Sequence, residues 1–345
     1  MRATICRYSC FLAILAIFPS IAAAQSAGTW AYTGSLSTAR DGHTATFLNN
    51  GLVLVAGGEN VVAQTQIAQA ELFNPATDQF TDTGSLLTTR TGDTATLLNN
   101  GMVLIAGGYN SIAGDLAEAE LYNPSTGTFT QTGSLETPRS YHTATLLNDG
   151  MVLVAGGYNS DGYVASAELY NPATGEFTAT GNLNTARDLH TATLLGNGMV
   201  LVAAGYGSAG VLMSAELYNS ATGVFTNTGN LNDARYSHTA TLLNNGMVLI
   251  ASGSGTVVRG LGRHLPTPTA EIYNPATGAF SLTGDVNTAR SEHTATLLSN
   301  GTVLISGGPR HTSTKAVTSS SGSPVRSLVR NCTTRQWERS PLPVA

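Results

Sequence analysis

The chain has 345 residues, of which 42% are hydrophobic and 11% charged, and a formal net charge of −5. That acidic balance excludes a nucleic-acid partner, whose phosphates need a basic footprint. The charged fraction lies well below the roughly 25% usual in globular domains, so Thr, Asn and Ser must carry solubility.

Residues 1–24 have the pattern of a secretory signal. Arg2 and Arg7 form a basic start, Cys10 to Ala22 is a short apolar core, and Ala22-Ala23-Ala24 is a small-residue cleavage site. The core is too short for a membrane span, and no later stretch is longer. Cleavage near Ala24 predicts a secreted or periplasmic protein. Loss of the two arginines takes the net charge from −5 to −7. It also removes Cys6 and Cys10, so Cys332 alone remains and no intrachain disulfide forms.

Gly28 to Leu36 matches the last strand of the units that follow, with no inner strands before it. Then a stretch typified by His142-Thr-Ala-Thr-Leu-Leu-Asn-Asp-Gly-Met-Val-Leu-Val-Ala-Gly-Gly157 recurs from His43, Asp93, His142, His190, His238 and His293. A period near 50 residues points to a propeller or solenoid. Within a unit, Asn148-Asp149-Gly150 between apolar runs predicts a hairpin with a type I′ turn. Met151 to Ala155 is apolar on both faces, as in a strand covered on both sides. Ala167 to Tyr170 is the third strand. Asn171-Pro-Ala-Thr-Gly175 is a turn, and the Thr-rich run from Phe177 suits an exposed outer strand.

The Gly doublet, a Tyr, and an aromatic seven positions later, as in Tyr122 and Phe129, resemble the kelch repeat of β-propellers across residues 30–308. Where that repeat usually carries Trp, this chain has Phe80, Phe129, Phe177, Phe225 and Phe280. The resemblance implies an all-β, six-bladed kelch-type propeller of four-stranded blades. Three segments are expected: signal 1–24, propeller 25–308 and a degenerate tail 309–345. The sixth blade is incomplete, and Trp30 to Thr33 is expected to close it as its outer strand, removing open edges.

Two residue sets recur. Arg40, Arg90, Arg139, Arg187, Arg235 and Arg290 precede the repeat His or Asp93 by three positions, and Glu71, Glu120, Glu168, Glu216 and Glu271 lie in the third strands. They read as a structural ring of paired, buried charges; the rival reading is a polar ring lining a channel. The histidines are read as bonding backbone, because a ring of equivalent residues is too wide for one ion with ligands at about 2 Å. No metal site and no cofactor are expected.

Binding residues are sought on the face carrying variable loops. They are Tyr109, Tyr141, Tyr158, Tyr163, Tyr206 and Tyr236, with Arg259, Arg263 and His264 from the long blade-five loop. An alternative is that the tyrosines only cover loop backbone. The sequence therefore reads as a monomeric, exported, non-catalytic propeller that binds a protein or glycan. The alternatives are a carbohydrate-acting enzyme resembling the galactose oxidase group and a purely structural surface protein. That oxidase resemblance implies a copper site with a Cys-linked Tyr, yet no repeat here supplies a Cys.

After Gly308 the repeat pattern stops. Read one base back, with permitted synonymous codons, Arg330 to Ala345 spells Glu-Leu-Tyr-Asn-Pro-Ala-Met-Gly-Ala-Phe-Thr-Ala-Thr-Gly-Ser, a further repeat. This predicts a frameshift between about Gly308 and Ser327, with Cys332 and Trp337 in unselected sequence.

Overall fold

A computed structural model describes residues 31–60, 62–257 and 264–309. The signal segment, Trp30, Arg259, Arg263 and the tail from residue 310 lie outside the described residues.

Five antiparallel four-stranded sheets follow one another, and a two-stranded sheet, Thr294–Leu297 with Val303–Ser306, begins a sixth. No helix occurs among the described residues. In blade three, Thr143–Leu146 pairs with Val152–Ala155, then comes Ala167–Asn171, then Glu176–Ala179 outermost. The first strands of successive sheets lie side by side from Thr44–Phe47 to Thr294–Leu297. A small hairpin, Tyr158–Asn159 with Gly162–Tyr163, stands between the second and third strands.

The first hairpin differs from the type I′ expectation. Gly150 N–H donates to Leu147 O at 3.0 Å, and only Gly150 has positive φ, +85°. This is a type I turn followed by a left-handed glycine, the three-residue alternative. Asp149 Oδ1 accepts Met151 N–H at 3.0 Å, which holds the first two turn residues in the ordinary helical region.

The core lies between blades. The second strand is buried along its length because a blade covers each face. Leu153, Ala155, Ala167 and Leu183 of blade three pack against Val200, Val202, Tyr218 and Phe225 of blade four. Tyr218 stacks on Phe225 with centroids 4.7 Å apart, and its hydroxyl bonds Thr180 Oγ1 of the preceding blade at 2.9 Å. The buried ring thus keeps a partner for its polar end.

The doublet glycines are required by this close approach. A Cβ on Gly156 would lie 2.6 Å from Arg187 O and 2.8 Å from His190 Cε1 of the next blade, and φ there is +65°.

At the N-terminus, Ala31–Thr33 forms no ladder among the described residues, contrary to the strand expected there. Gly34 N–H nevertheless donates to Asp78 O of blade one at 2.7 Å, as Gly84, Gly133 and Gly229 donate to Gly127, Gly175 and Gly278. The segment therefore occupies the outer place before blade one. Blade six shows two inner strands among the described residues.

Candidate binding site

Each repeat arginine sits on the connection entering a blade, and its side chain turns into that blade. Arg187 Nη2 bonds Glu216 Oε1 at 2.8 Å; Nη1 donates to Ala204 O and Ser214 O; Nε donates to Thr185 O. Glu216 also accepts the backbone N–H of Asn184 and Thr185. Arg40–Glu71, Arg90–Glu120, Arg139–Glu168 and Arg235–Glu271 repeat the pair at 2.7–2.9 Å, all buried. Arg290, also buried, donates to Thr288 O and Gly307 O. The set anchors each connection to the blade it enters and does not line an open channel.

Besides the backbone contacts expected, which His43, His142 and His293 make to Arg40, Arg139 and Ala251, four of the histidines reach the preceding blade. His142, His190, His238 and His293 place Nε2 2.9–3.0 Å from Thr94, Thr143, Thr191 and Thr239 Oγ1 of the preceding blade. Each threonine follows the repeat residue of its own blade, so the bond runs from blade to blade. Burial, then the neighbouring arginine, lowers the pKa of His142 to about 3 and of His43 and His293 to about 4. Asp93 occupies the same place in blade two. Both of its carboxylate oxygens are buried without a hydrogen-bond partner, and burial raises its pKa to about 7.

Above the histidines lies a funnel pocket of about 260 Å³. Its rim is the residue before the repeat position in blades two to six, Gly92, Tyr141, Leu189, Ser237 and Glu292, every one with φ between +50° and +64°, as is the equivalent Gly42 of blade one. The rim is tied by a chain of backbone bonds, Tyr141 N–H to Gly92 O, Leu189 to Tyr141, Ser237 to Leu189 and Glu292 to Ser237, at 2.8–3.1 Å. Four non-glycine residues in the left-handed region are strained, and such strain persists only where surrounding structure enforces it. Sequence reasoning found only Tyr141 of this rim. The signal available was a variable residue, glycine in two units, directly before an otherwise repeated position.

The loop hairpins stand outside the rim. Tyr158, Tyr206 and Ser254 pair as single bridges with Ser140, Asp188 and Tyr236 on the arginine connections. Those bridges bring five of the candidates together. Tyr158 meets Tyr163 at 5.2 Å, Tyr163 meets Tyr206 at 5.9 Å, and Tyr206 meets Tyr236 at 5.5 Å. His264 packs edge-on against Tyr206 and Tyr236 at 5.7 and 5.6 Å. The result is one aromatic run across blades three, four and five. Tyr109 lies on the blade-two hairpin, where its carbonyl accepts Gln66 Nε2–H, and Tyr141 covers Gly92 at the rim. At the base of the run sits Asp188, which sequence reasoning did not single out. It is 8% exposed, its Oδ1 has no hydrogen-bond partner, and burial raises its pKa to about 7.

Residues 42–253 match the family described as the KLHDC2/KLHL20/DRC7 Kelch-repeats domain. Among solved structures, the chain is similar to the one titled "Structure of YjhT", with a TM-score of 0.64 and 14% identity over 79% of this chain and 91% of that one. At that identity the likeness concerns the fold alone. No curated protein matches the sequence.

Proposed function

The chain belongs to the kelch-repeat family, and from that premise we propose that it is an exported, non-catalytic propeller that holds a protein or glycan on its loop face. Kelch-type propellers serve generally as binding or scaffold modules. The observation that carries the reading is the aromatic run from Tyr158 through Tyr206 to His264, assembled from three blades on a rigid frame. Rigid tyrosines supply contact area at low conformational cost, and loops mounted on a fixed scaffold are where binding residues concentrate. The pattern of residues 1–24 supports export.

The test is a screen of the mature protein on a glycan array and a peptide array, repeated with Tyr206→Ala. The expected result is a ligand class that wild type retains and Tyr206→Ala loses, with both proteins folded by circular dichroism. Ligands held equally by both proteins overturn the assignment of the site.

A further inference from the structure

The described surface carries charge of one sign. Among the described residues there is no lysine, and all six arginines are buried, five of them against glutamates. Asp78, Glu136, Asp149, Asp161 and Glu176 are exposed. Over the described residues, exposed carboxylates attract cations and repel anionic partners, through both encounter rate and final fit; Arg259 and Arg263 of the neighbouring loop lie outside them.

Asp188 gives that general field a local focus. The residue is 8% exposed, and its Oδ1 is buried with no hydrogen bond. A withdrawn carboxylate is costly unless a counter-charge reaches it. Tyr163, Tyr206 and Tyr236 stand near it: Asp188 bridges Tyr206 through the backbone, its charge acts on the Tyr163 hydroxyl after that group's own burial, and it is the smallest influence on Tyr236, behind burial, Ser254, Tyr206 and Glu292. A carboxylate beside a cluster of aromatic rings suits a soft organic cation. The rings attract it through their π faces, and the acid neutralises it. A hard metal ion would want several oxygen ligands, which rings do not supply.

We propose that Asp188, with Tyr163, Tyr206 and Tyr236, forms a recognition site for an alkylammonium group, of the kind a lysine side chain carries, presented by a basic protein partner. This rests on the loop face being the binding face.

The test titrates the mature protein with Nα-acetyl-lysine methylamide, its Nε-trimethyl form and its neutral Nε-acetyl form, followed by NMR. Saturable shifts are expected for the two charged probes, with the neutral probe weaker by about tenfold or more. Asp188→Asn, nearly isosteric, should remove that preference and still melt cooperatively. Stronger binding of the primary ammonium assigns the site to lysine itself; stronger binding of the trimethyl form assigns it to methylated lysine. The same series in Arg259→Ser/Arg263→Ser removes cations of the neighbouring loop. Absence of charged-probe binding in both backgrounds overturns the proposal, as does equal binding of the neutral probe or indifference to Asp188→Asn. Should Tyr206→Ala still abolish binding of an array ligand, the binding face survives and only the cation assignment falls. If tyrosine substitutions alter no binding, the face falls as well.

Discussion

The seam between blades three and four and the seam between blades one and two are built from the same repeat, yet they are not equal. At the first, Thr143 bonds His190 and Thr180 bonds Tyr218, so both the inner and outer ends are tied. At the second, Thr83 bonds Tyr122 on the outside, but Asp93 stands where the imidazole would be and its oxygens have no partner. The difference teaches that one inter-blade bond can be given up while the arginine–glutamate pair is kept: Arg90 holds Glu120 at 2.7 Å beside the defective position. The pair, which ties each connection to the blade it enters, is thus kept where the histidine bond between blades is missing.

The largest effect should come from breaking that fastening at the better seam. Arg187→Ala leaves Glu216 buried without its cation and frees three backbone carbonyls, and should cost about 3–5 kcal/mol in denaturant unfolding. Arg187→Lys should recover only part, since a single ammonium cannot serve Glu216, Ala204 O and Ser214 O in the fork geometry of a guanidinium. A loss under 1 kcal/mol would mean that the histidine bond, rather than the ion pair, holds the ring.

Mending the weaker seam should act in the other direction. Asp93→His offers Thr44 the ring nitrogen that the other threonines have, and Asp93→Asn removes the charge alone. A carboxyl whose folded pKa is raised stabilises the fold below its unfolded value near 3.8, and that contribution is lost as pH rises toward about 7. Both variants should therefore gain most at pH 7–8, by about 2 kcal/mol, and least near pH 4. The buried histidines work oppositely. Their folded pKa values are lowered to about 4 or below, so their contribution is complete above pH 6.5 and lost as pH falls toward 4. In wild type the two trends oppose each other; in Asp93→Asn the acid loss should stand out as a steeper limb between pH 6.5 and 4. Melting curves across pH 4–8 for both proteins check this, and parallel curves would remove Asp93 from the account.

Why the fold could be read and the seams could not follows from where each contact runs. Period, Asn-Gly turns and Gly doublets are local, so the repeat declares blades directly. The arginine–glutamate pair was legible because both members recur at matched positions. The Thr94–His142 bond was not: each threonine also follows its own repeat residue, and only the arrangement of blades shows that it reaches the next one. The hairpin type escaped for a local reason, since Asn-Asp-Gly fits both a type I′ turn and a type I turn closed by glycine. Asp188 escaped because the residue after the repeat Arg varies, Asp41 and Asp188 in two units and Thr91, Ser140, Tyr236 and Ser291 in the others, and a repeat consensus hides what varies.

A smaller effect is expected on the loop face. Tyr158 is 40% exposed and meets one ring, so Tyr158→Ala should shift stability by about 0.5 kcal/mol or less while weakening ligand capture. A loss comparable to Arg187→Ala would make the tyrosines part of the frame, and the contrast between scaffold and binding loops would collapse.

The smallest effect concerns the last seam, between blade six and blade one. Blade six has two strands among the described residues, and the N-terminal segment holds its outer place through Gly34 and Asp78 without a ladder. The third strand that should lie between them is the one that Arg330 to Ala345 spells when read one base back, beginning Glu-Leu-Tyr-Asn-Pro. Codon degeneracy leaves only the first base of each shifted triplet free, and the Trp337 codon forces the first base of the required glycine. If a frameshift separates residue 308 from that strand, residues 310–345 contribute no packing, and deleting them should leave the unfolding midpoint unchanged. Restoring the shifted frame should instead raise it, because the recovered Glu, Leu and Tyr would supply the contacts that Glu271, Ile272 and Tyr273 make in blade five. The gene sequence gives the sharper check. If the frame one base back does not read Glu-Leu-Tyr-Asn-Pro near codon 330, the tail is this protein's own, and the difference between blade six and its neighbours was selected.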